Sequence, residues 1–190
     1  LKNIISNYLI TESCRFLSGV SVVTVFLSAF PNGQQFTCKW DCHYCPKQPG
    51  QPRSYLHNEP AVSRGNRCNF DPCEQFNERA STHFINGHTV DKIELLILGG
   101  TFHSYPEDYR EWYIKMLIYS ANTFYQIDKR EPLSFNEEVL INETAQVRII
   151  GITIETRPDC INPKTLLELR KLEVTRIQMG LQHTDDSILS

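Results

Sequence analysis

The sequence predicts an α/β fold of parallel β/α units, and three observations predict it. Short runs rich in Val, Ile and Leu stand at Val20 to Leu27, Lys92 to Leu98 and Val147 to Glu155, with a weaker fourth at Arg176 to Gln182. Each has strand length and enough apolar character to be buried in a parallel sheet. Between the runs lie segments with helix-start chemistry, so strand and helix alternate. That alternation implies right-handed crossovers, with ligand-binding residues gathered at the C-terminal ends of the strands.

The elements follow in order. The first apolar stretch, Phe16 to Phe30 after Arg15, has signal-peptide length, but Val20, Val22, Val23 and Val25 are β formers, so a buried strand accounts for it. It is also too short to span a bilayer. Cys38 to Phe70 is rich in Pro, Gly and Arg without an apolar period and reads as one long loop. Asp71-Pro72-Cys73-Glu74 starts a helix whose stripe is Cys73, Phe76, Ala80 and Phe84. Ser104-Tyr105-Pro106-Glu107 and Ser134-Phe135-Asn136-Glu137 are capping-box signatures, in which a side-chain oxygen and a Glu satisfy orphan N–H groups reciprocally. Asn162-Pro163 offers a cap followed by proline at the first helical position, and Thr184-Asp185-Asp186 opens another helix.

Composition bounds the function. A chain of 190 residues, 41% apolar and 22% charged, is an ordinary globular sequence of one-domain size. Its net charge of -3 gives no global case for nonspecific nucleic-acid binding. The sign reverses locally, where Lys39, Lys47, Arg53, Arg64 and Arg67 face only Asp41 and Glu59. Phosphate contacts from such cations dominate nucleic-acid affinity, and Tyr55 could stack on a base; the alternative is that most of them are simply solvated. Seven cysteines, three of them within eight residues, suit a metal site in a reducing, cytoplasmic compartment better than a disulfide framework. The chain begins at Leu1 and stops at Ser190 just after a helix start, and so reads as a fragment.

Cys38, Cys42 and Cys45 have the spacing C-x3-C-x2-C in a loop after a strand. Thiolates are soft ligands that select iron–sulfur clusters or zinc. Ordinary electron-transfer clusters use four cysteines, so three leave one iron open for a reagent, by the logic that keeps a position free on catalytic zinc. A structural zinc site completed by Cys68, Cys73 or His43 remains the alternative. Cys14, Cys68 and Cys160 read as plain structural thiols. Further along, Gly99-Gly100-Thr101 ends the second strand and would let a ligand approach the backbone. Glu155 and Gln182 end the third and fourth, where their oxygens could accept hydrogen bonds from sugar hydroxyls. Arg157 either holds an anion or pairs with Asp159.

Tyr44, just before the last cysteine, completes a C-x3-C-x-aromatic-C pattern that resembles the cluster loop of the radical S-adenosylmethionine (SAM) superfamily. The resemblance implies a [4Fe-4S] cluster whose open iron chelates SAM, with Tyr44 near the adenine, Gly99, Gly100 and Thr101 at the SAM amino group, and Glu155 and Gln182 on the ribose. The implied fold is a partial TIM barrel of the radical SAM type, with about the first four β/α units present and an open sheet edge where the rest continue, which makes the isolated piece poorly soluble.

The intervening text narrows the family. Cys45-Pro46, Pro49-Gly50-Gln51-Pro52-Arg53-Ser54-Tyr55, Glu59-Pro60 and Phe70-Asp71-Pro72 resemble the catalytic subunit of Elongator and its bacterial, archaeal and viral relatives. So do Gly87-His88, Val90-Asp91-Lys92, Tyr105-Pro106, Tyr109-Arg110, Asn142-Glu143, Glu155-Thr156-Arg157-Pro158-Asp159 and Gln182-His183-Thr184-Asp185-Asp186. The resemblance implies an enzyme forming 5-carboxymethyluridine at the wobble position of tRNA, with acetyl-CoA as co-substrate. In that scheme reductive cleavage of SAM gives a 5'-deoxyadenosyl radical, which takes hydrogen from the acetyl methyl group; the acetyl radical adds to the uridine, and hydrolysis releases CoA. Residues 1–17 are then a truncated N-terminal extension and 18–190 an incomplete radical SAM domain. The acetyltransferase-like domain, with the acetyl-CoA site, is expected outside this chain, which alone would not complete the reaction. Implied partners are tRNA and, in a eukaryote, Elongator subunits, with no membrane. Another radical SAM reaction on RNA and a zinc-stabilised nucleic-acid-binding module remain the alternatives.

Overall fold

The computed structural model describes residues 10–12, 14, 16–34, 37–40 and 42–189. Asp41, Arg15 and most of the 1–17 extension lie outside them, as do the side chains of Asp186 and Leu189. Four strands form one parallel sheet in the order β1-β2-β3-β4, namely β1 Ser21–Phe26, β2 Lys92–Leu98, β3 Arg148–Thr156 and β4 Arg176–Met179. The α/β class and the strand positions agree with the sequence reading, except that β4 stops at Met179 and leaves Gln182 beyond the strand.

The helices are α1 Pro60–Arg67, α2 Pro72–Ile85, α3 Glu107–Asn122, α4 Phe135–Asn142, α5 Pro163–Lys171 and α6 Asp186–Leu189. Cys38 to Phe70 is therefore not one loop, because α1 fills its last third. Pro60 at the first turn starts it, and Val62 and Gly65 are buried. Three expected helix starts are in place. Asp71 accepts from the Glu74 N–H at 2.8 Å, Ser134 donates its N–H to Glu137 at 3.0 Å, and Asn162 accepts from the Thr165 N–H at 3.1 Å. Ser104 is not a cap. It ends a short 3-10 turn, and α3 begins two residues after Tyr105 behind Pro106 with no side-chain cap. The expected stripe on α2 holds for Phe76 and Ala80, both fully buried, but Phe84 is more than half exposed.

The helices cover one face of the sheet. Val23, Val25, Leu27, Ile93, Leu95, Ile97, Ile152 and Ile154 point into a core with Phe76, Tyr113, Ile114 and Leu117. Alternate residues, among them Glu94, Leu96, Leu98 and Glu155, line the opposite, half-buried face. A fully paired barrel would bury both faces; here the second face is free to carry polar groups.

The exposed edge of β1 is closed by side chains rather than by another strand. Gln75, fully buried on α2, accepts from the Phe26 N–H at 2.9 Å and donates to the Phe26 carbonyl at 3.0 Å. Tyr113 donates to that carbonyl at 2.7 Å, and Arg64 of α1 donates to the Thr24 carbonyl at 2.5 Å. Unpaired edge groups otherwise invite association or cost desolvation energy. Replacing Gln75 with Leu orphans the Phe26 N–H, and a loss of about 2–3 kcal/mol in urea unfolding is expected. An unchanged midpoint would show that this edge needs no seal.

Candidate metal centre

The three cysteines sit on the loop between β1 and α1, above the C-terminal ends of the strands. Each sulfur meets a different polar partner. Cys38 Sγ lies 3.3 Å from Thr101 Oγ1, just past β2. Cys42 Sγ accepts from Arg157 Nη1 at 3.3 Å, just past β3. Cys45 Sγ accepts from the Ser54 hydroxyl at 3.2 Å, later in the same loop. All three are partly exposed and none is in a disulfide. Tyr44, between the last two, is exposed, and local desolvation and the neighbouring Cys42 raise its phenol pKa.

Three consecutive residues fasten the loop. The Arg53 N–H donates to Thr37 Oγ1 at 2.8 Å, beside Cys38. Ser54 reaches Cys45, and its φ of 76° places it in the left-handed region that non-glycine residues seldom occupy. Tyr55 crosses the open face of the sheet, its ring edge-on to Phe26 at 4.6 Å and its hydroxyl donating to Glu155 Oε2 at 2.5 Å.

The Tyr55 hydroxyl is the hydrogen-bond partner of the Glu155 carboxylate, and the nearby Gly99 backbone N–H also favours its charged form. Burial still dominates and holds its pKa above the usual carboxylate range, while Tyr55 and the Gly99 backbone oppose the shift. Burial first, then the Glu155 charge, pushes the Tyr55 phenol far upward, so it remains a donor. The glycine pair has a structural reason too. Gly99 has φ 143°, and a Cβ there would lie 2.7 Å from the Tyr105 hydroxyl, which donates to the Gly99 carbonyl at 2.6 Å. Gly100, φ 98°, passes under the Arg53 carbonyl, 3.4 Å from where a Cβ would be.

Several sequence expectations shift. Gln182 is exposed with its amide folded over Gly180, so it does not join Glu155 at the mouth. Arg64 is buried against β1, which removes it from a nucleic-acid face, while Arg67 is exposed and pairs with Glu78. Tyr55 is no free stacking platform, since its hydroxyl and ring are both engaged. Lys47 and Arg53 line an open cleft of about 410 Å³ together with Phe30, Cys38 and Gln51. Lys39 lies over the Trp40 ring, 4.5 Å from its centroid. Arg157 pairs with Asp159, the second of its two sequence alternatives, and also reaches the Cys42 sulfur. The motif C-x3-C gave no sign of Ser54 or Thr37, although both flank it.

Among the described residues, no three His, Cys, Asp or Glu side chains are grouped closely enough to hold one metal ion. The donor set nevertheless fits a thiolate-bound cluster. Three soft sulfurs share one loop, and a hydroxyl or guanidinium stands at each, in keeping with the hydrogen bonds that support cluster sulfurs. Cys68 and Cys73, the proposed fourth ligands of a zinc site, belong to the helix layer instead. Their thiols donate to Glu78 at 3.2 Å and to the Met116 carbonyl at 3.6 Å.

Comparisons with known proteins give one consistent answer. No protein-family model matches the chain. It is 37% identical over 195 residues to a tRNA uridine(34) acetyltransferase of Methanocaldococcus infernus, covering 99% of this chain and 34% of that protein. It is 33% identical over 193 residues to Elongator complex protein 3 of Schizosaccharomyces pombe, with the same coverage. Among solved structures, the archaeal Methanocaldococcus infernus Elp3 with an N-terminus deletion superposes with a TM-score of 0.66 at 32% identity. That match covers 90% of this chain and 30% of the other. The chain spans about a third of the length of the curated relatives it matches.

Burial of the Glu155 carboxyl, only partly offset by the Tyr55 hydrogen bond, predicts a pH effect. A carboxyl whose folded pKa is raised contributes stability that is complete below its unfolded value, about 4.3, and is lost as pH rises through the folded value. Glu155→Gln is therefore expected to flatten the decline in melting temperature above pH 4. Tyr55→Phe is expected to lower stability by about 1–2 kcal/mol at pH 7. Identical pH profiles for wild type and Glu155→Gln would contradict the assignment.

Proposed function

Since the chain is a relative of the Elongator complex protein 3 and tRNA uridine(34) acetyltransferase family, we propose that it carries the iron–sulfur and SAM half of a tRNA wobble-uridine modifying enzyme. The proposed product is 5-carboxymethyluridine formed from acetyl-CoA. The observation that carries the reading is the placement of Cys38, Cys42 and Cys45 on one loop beyond the strand ends, each sulfur with its own polar neighbour. A [4Fe-4S] cluster held there would supply reductive cleavage of SAM to a 5'-deoxyadenosyl radical.

This chain's own residues bind and orient. Cys38, Cys42 and Cys45 hold the cluster. Tyr44, exposed beside Cys42, is free to cover an adenine face. Glu155 keeps acceptor capacity for a ribose hydroxyl, because a carboxylate has about four lone-pair sites and the Tyr55 hydroxyl takes one of them. Gly99, Gly100 and Thr101 bring backbone groups to the same mouth. Gln182 would need its terminal segment to swing inward to join them. Lys47 and Arg53, which line the cleft beside Cys38, and Lys39, over the Trp40 ring, are the cations proposed to meet tRNA phosphates.

In this reading the acetyl-CoA site would lie outside this chain, which spans about a third of its relatives' length. In a eukaryote the partners would be the other Elongator subunits, and the compartment the cytoplasm. Among the described residues no helix is long and apolar enough to cross a membrane.

Anaerobic reconstitution with iron and sulfide tests the site. The expected result is iron and sulfide in cubane stoichiometry, reductive SAM cleavage after dithionite addition, and loss of both on changing any one of Cys38, Cys42 and Cys45 to Ala. Zinc uptake without iron or sulfide would overturn the reading in favour of a structural module. For the tRNA face, Lys47→Ala is expected to reduce the slope of log affinity against log salt by about one, the signature of one lost phosphate contact. Arg64→Ala should lower stability and leave that slope unchanged.

A further inference from the structure

Among the described residues Arg157 is the charged side chain bonded to a candidate cluster sulfur, and its guanidinium is held on three sides. Nε and Nη2 each donate to the Asp159 carboxylate at 2.9 Å, a parallel pair matched to the planar fork. The guanidinium carbon sits 4.6 Å from the centroid of the Trp40 ring, two residues before Cys42. That leaves Nη1, on the far side of the fork, pointing at Cys42 Sγ at 3.3 Å. Lysine could not reproduce this: an ammonium lacks the fork that lets one cation bind a carboxylate and a sulfur in fixed directions.

Asp159 and Trp40 therefore hold the donor in place before anything binds. Asp159 also balances the guanidinium charge, so what remains at the sulfur is chiefly a directed N–H bond. Hydrogen bonds to cluster sulfurs and local charge are the protein's means of setting a cluster's potential. A donor to one thiolate withdraws electron density and favours the reduced, more negative state. Thr101 and Ser54 place neutral hydroxyls at the other two sulfurs, so Cys42 carries the strongest of the three interactions.

We propose that Arg157 is a positioning residue that orients the Cys42 thiolate and raises the reduction potential of the cluster, with Asp159 and Trp40 fixing its geometry. This rests on the cluster reading given above, and the experiment separates the two. Wild type, Arg157→Gln and Arg157→Lys are reconstituted anaerobically, checked for fold by circular dichroism, and titrated without SAM while the reduced cluster is followed by electron paramagnetic resonance. Arg157→Gln is expected to bind iron and sulfide and to show a more negative midpoint. A tenfold fall in the reduced-to-oxidised ratio at fixed potential, equal to 59 mV for a one-electron couple, is the expected size. Arg157→Lys, which keeps the charge without the fork, should recover part of the shift.

A cluster-loaded Arg157→Gln with the wild-type midpoint and spectrum overturns the inference and leaves the cluster reading standing. A shift that appears only when SAM is added also overturns it, because Arg157 would then act on SAM directly. If Arg157→Gln folds but holds no cluster, Arg157→Lys decides, and a wild-type midpoint there refutes the role. A wild-type chain that takes up no iron defeats the cluster reading and this inference with it.

Discussion

The hydrogen bond from the Tyr55 hydroxyl to Glu155 ties the cysteine loop to the sheet, and the candidate site depends on it. Without such a bond, a loop starting after β1 would have to order its three sulfurs against the backbone entropy of every residue between them. The geometry instead concentrates the restraint at Arg53, Ser54 and Tyr55. The first holds the entry to the loop at Thr37, the second holds the last cysteine, and the third holds the third strand. Three attachments from adjacent residues act as one clamp, and the left-handed Ser54 backbone is the local cost of aiming them in three directions.

The same segment shows why a basic sequence is not automatically a basic surface. Five cations stand between Lys39 and Arg67, yet two of them have structural work. Arg64 closes the β1 edge through the Thr24 carbonyl, and Arg67 pairs with Glu78 on the next helix. Burial disfavours the charged form of Arg64 first, with Arg79 adding to the effect, and its pKa is lowered accordingly. A guanidinium tolerates this because its intrinsic pKa is so high that it stays protonated. Lys47 and Arg53 line the cleft beside Cys38, nearer the candidate centre than their even spread along the sequence suggests.

Most of the fold was legible in the sequence because strands and caps are local signals. Val23, Ile93 and Ile152 announce their strands by side-chain type, and Asp71, Ser134 and Asn162 announce helix starts by hydrogen-bonding chemistry. The misses are tertiary. Ser104 has the composition of a cap, but the Gly99-Gly100 turn and the 3-10 turn that follows it spend that residue before the helix begins. Pro60 begins a helix inside a stretch whose polar composition hid it. The roles of Thr37, Ser54 and Tyr55 depend on which strand end they meet, and no spacing rule encodes that. Tyr55 looked like a stacking residue only while Glu155 was imagined as free.

Sheet register is what finally joins the parts. Ile97 pairs with Ile154, so β2 and β3 deliver Thr101 and Arg157 to the same level just beyond their ends. Thr101 meets Cys38 and Arg157 meets Cys42, and Glu155 meets Tyr55 from the sheet's open face. Because side chains alternate along a strand, a slip of one residue would turn Glu155 into the helix-side core and bring Ile154 to the mouth. The apolar alternation of Ile152 and Ile154 against Thr153 and Glu155 forbids that slip, since it would bury a carboxylate where the core now holds isoleucine. Hydrophobic pattern thus enforces the register, the register places two of the three sulfur partners, and the loop supplies the third. The candidate centre is in this sense a product of core packing as much as of the cysteine motif.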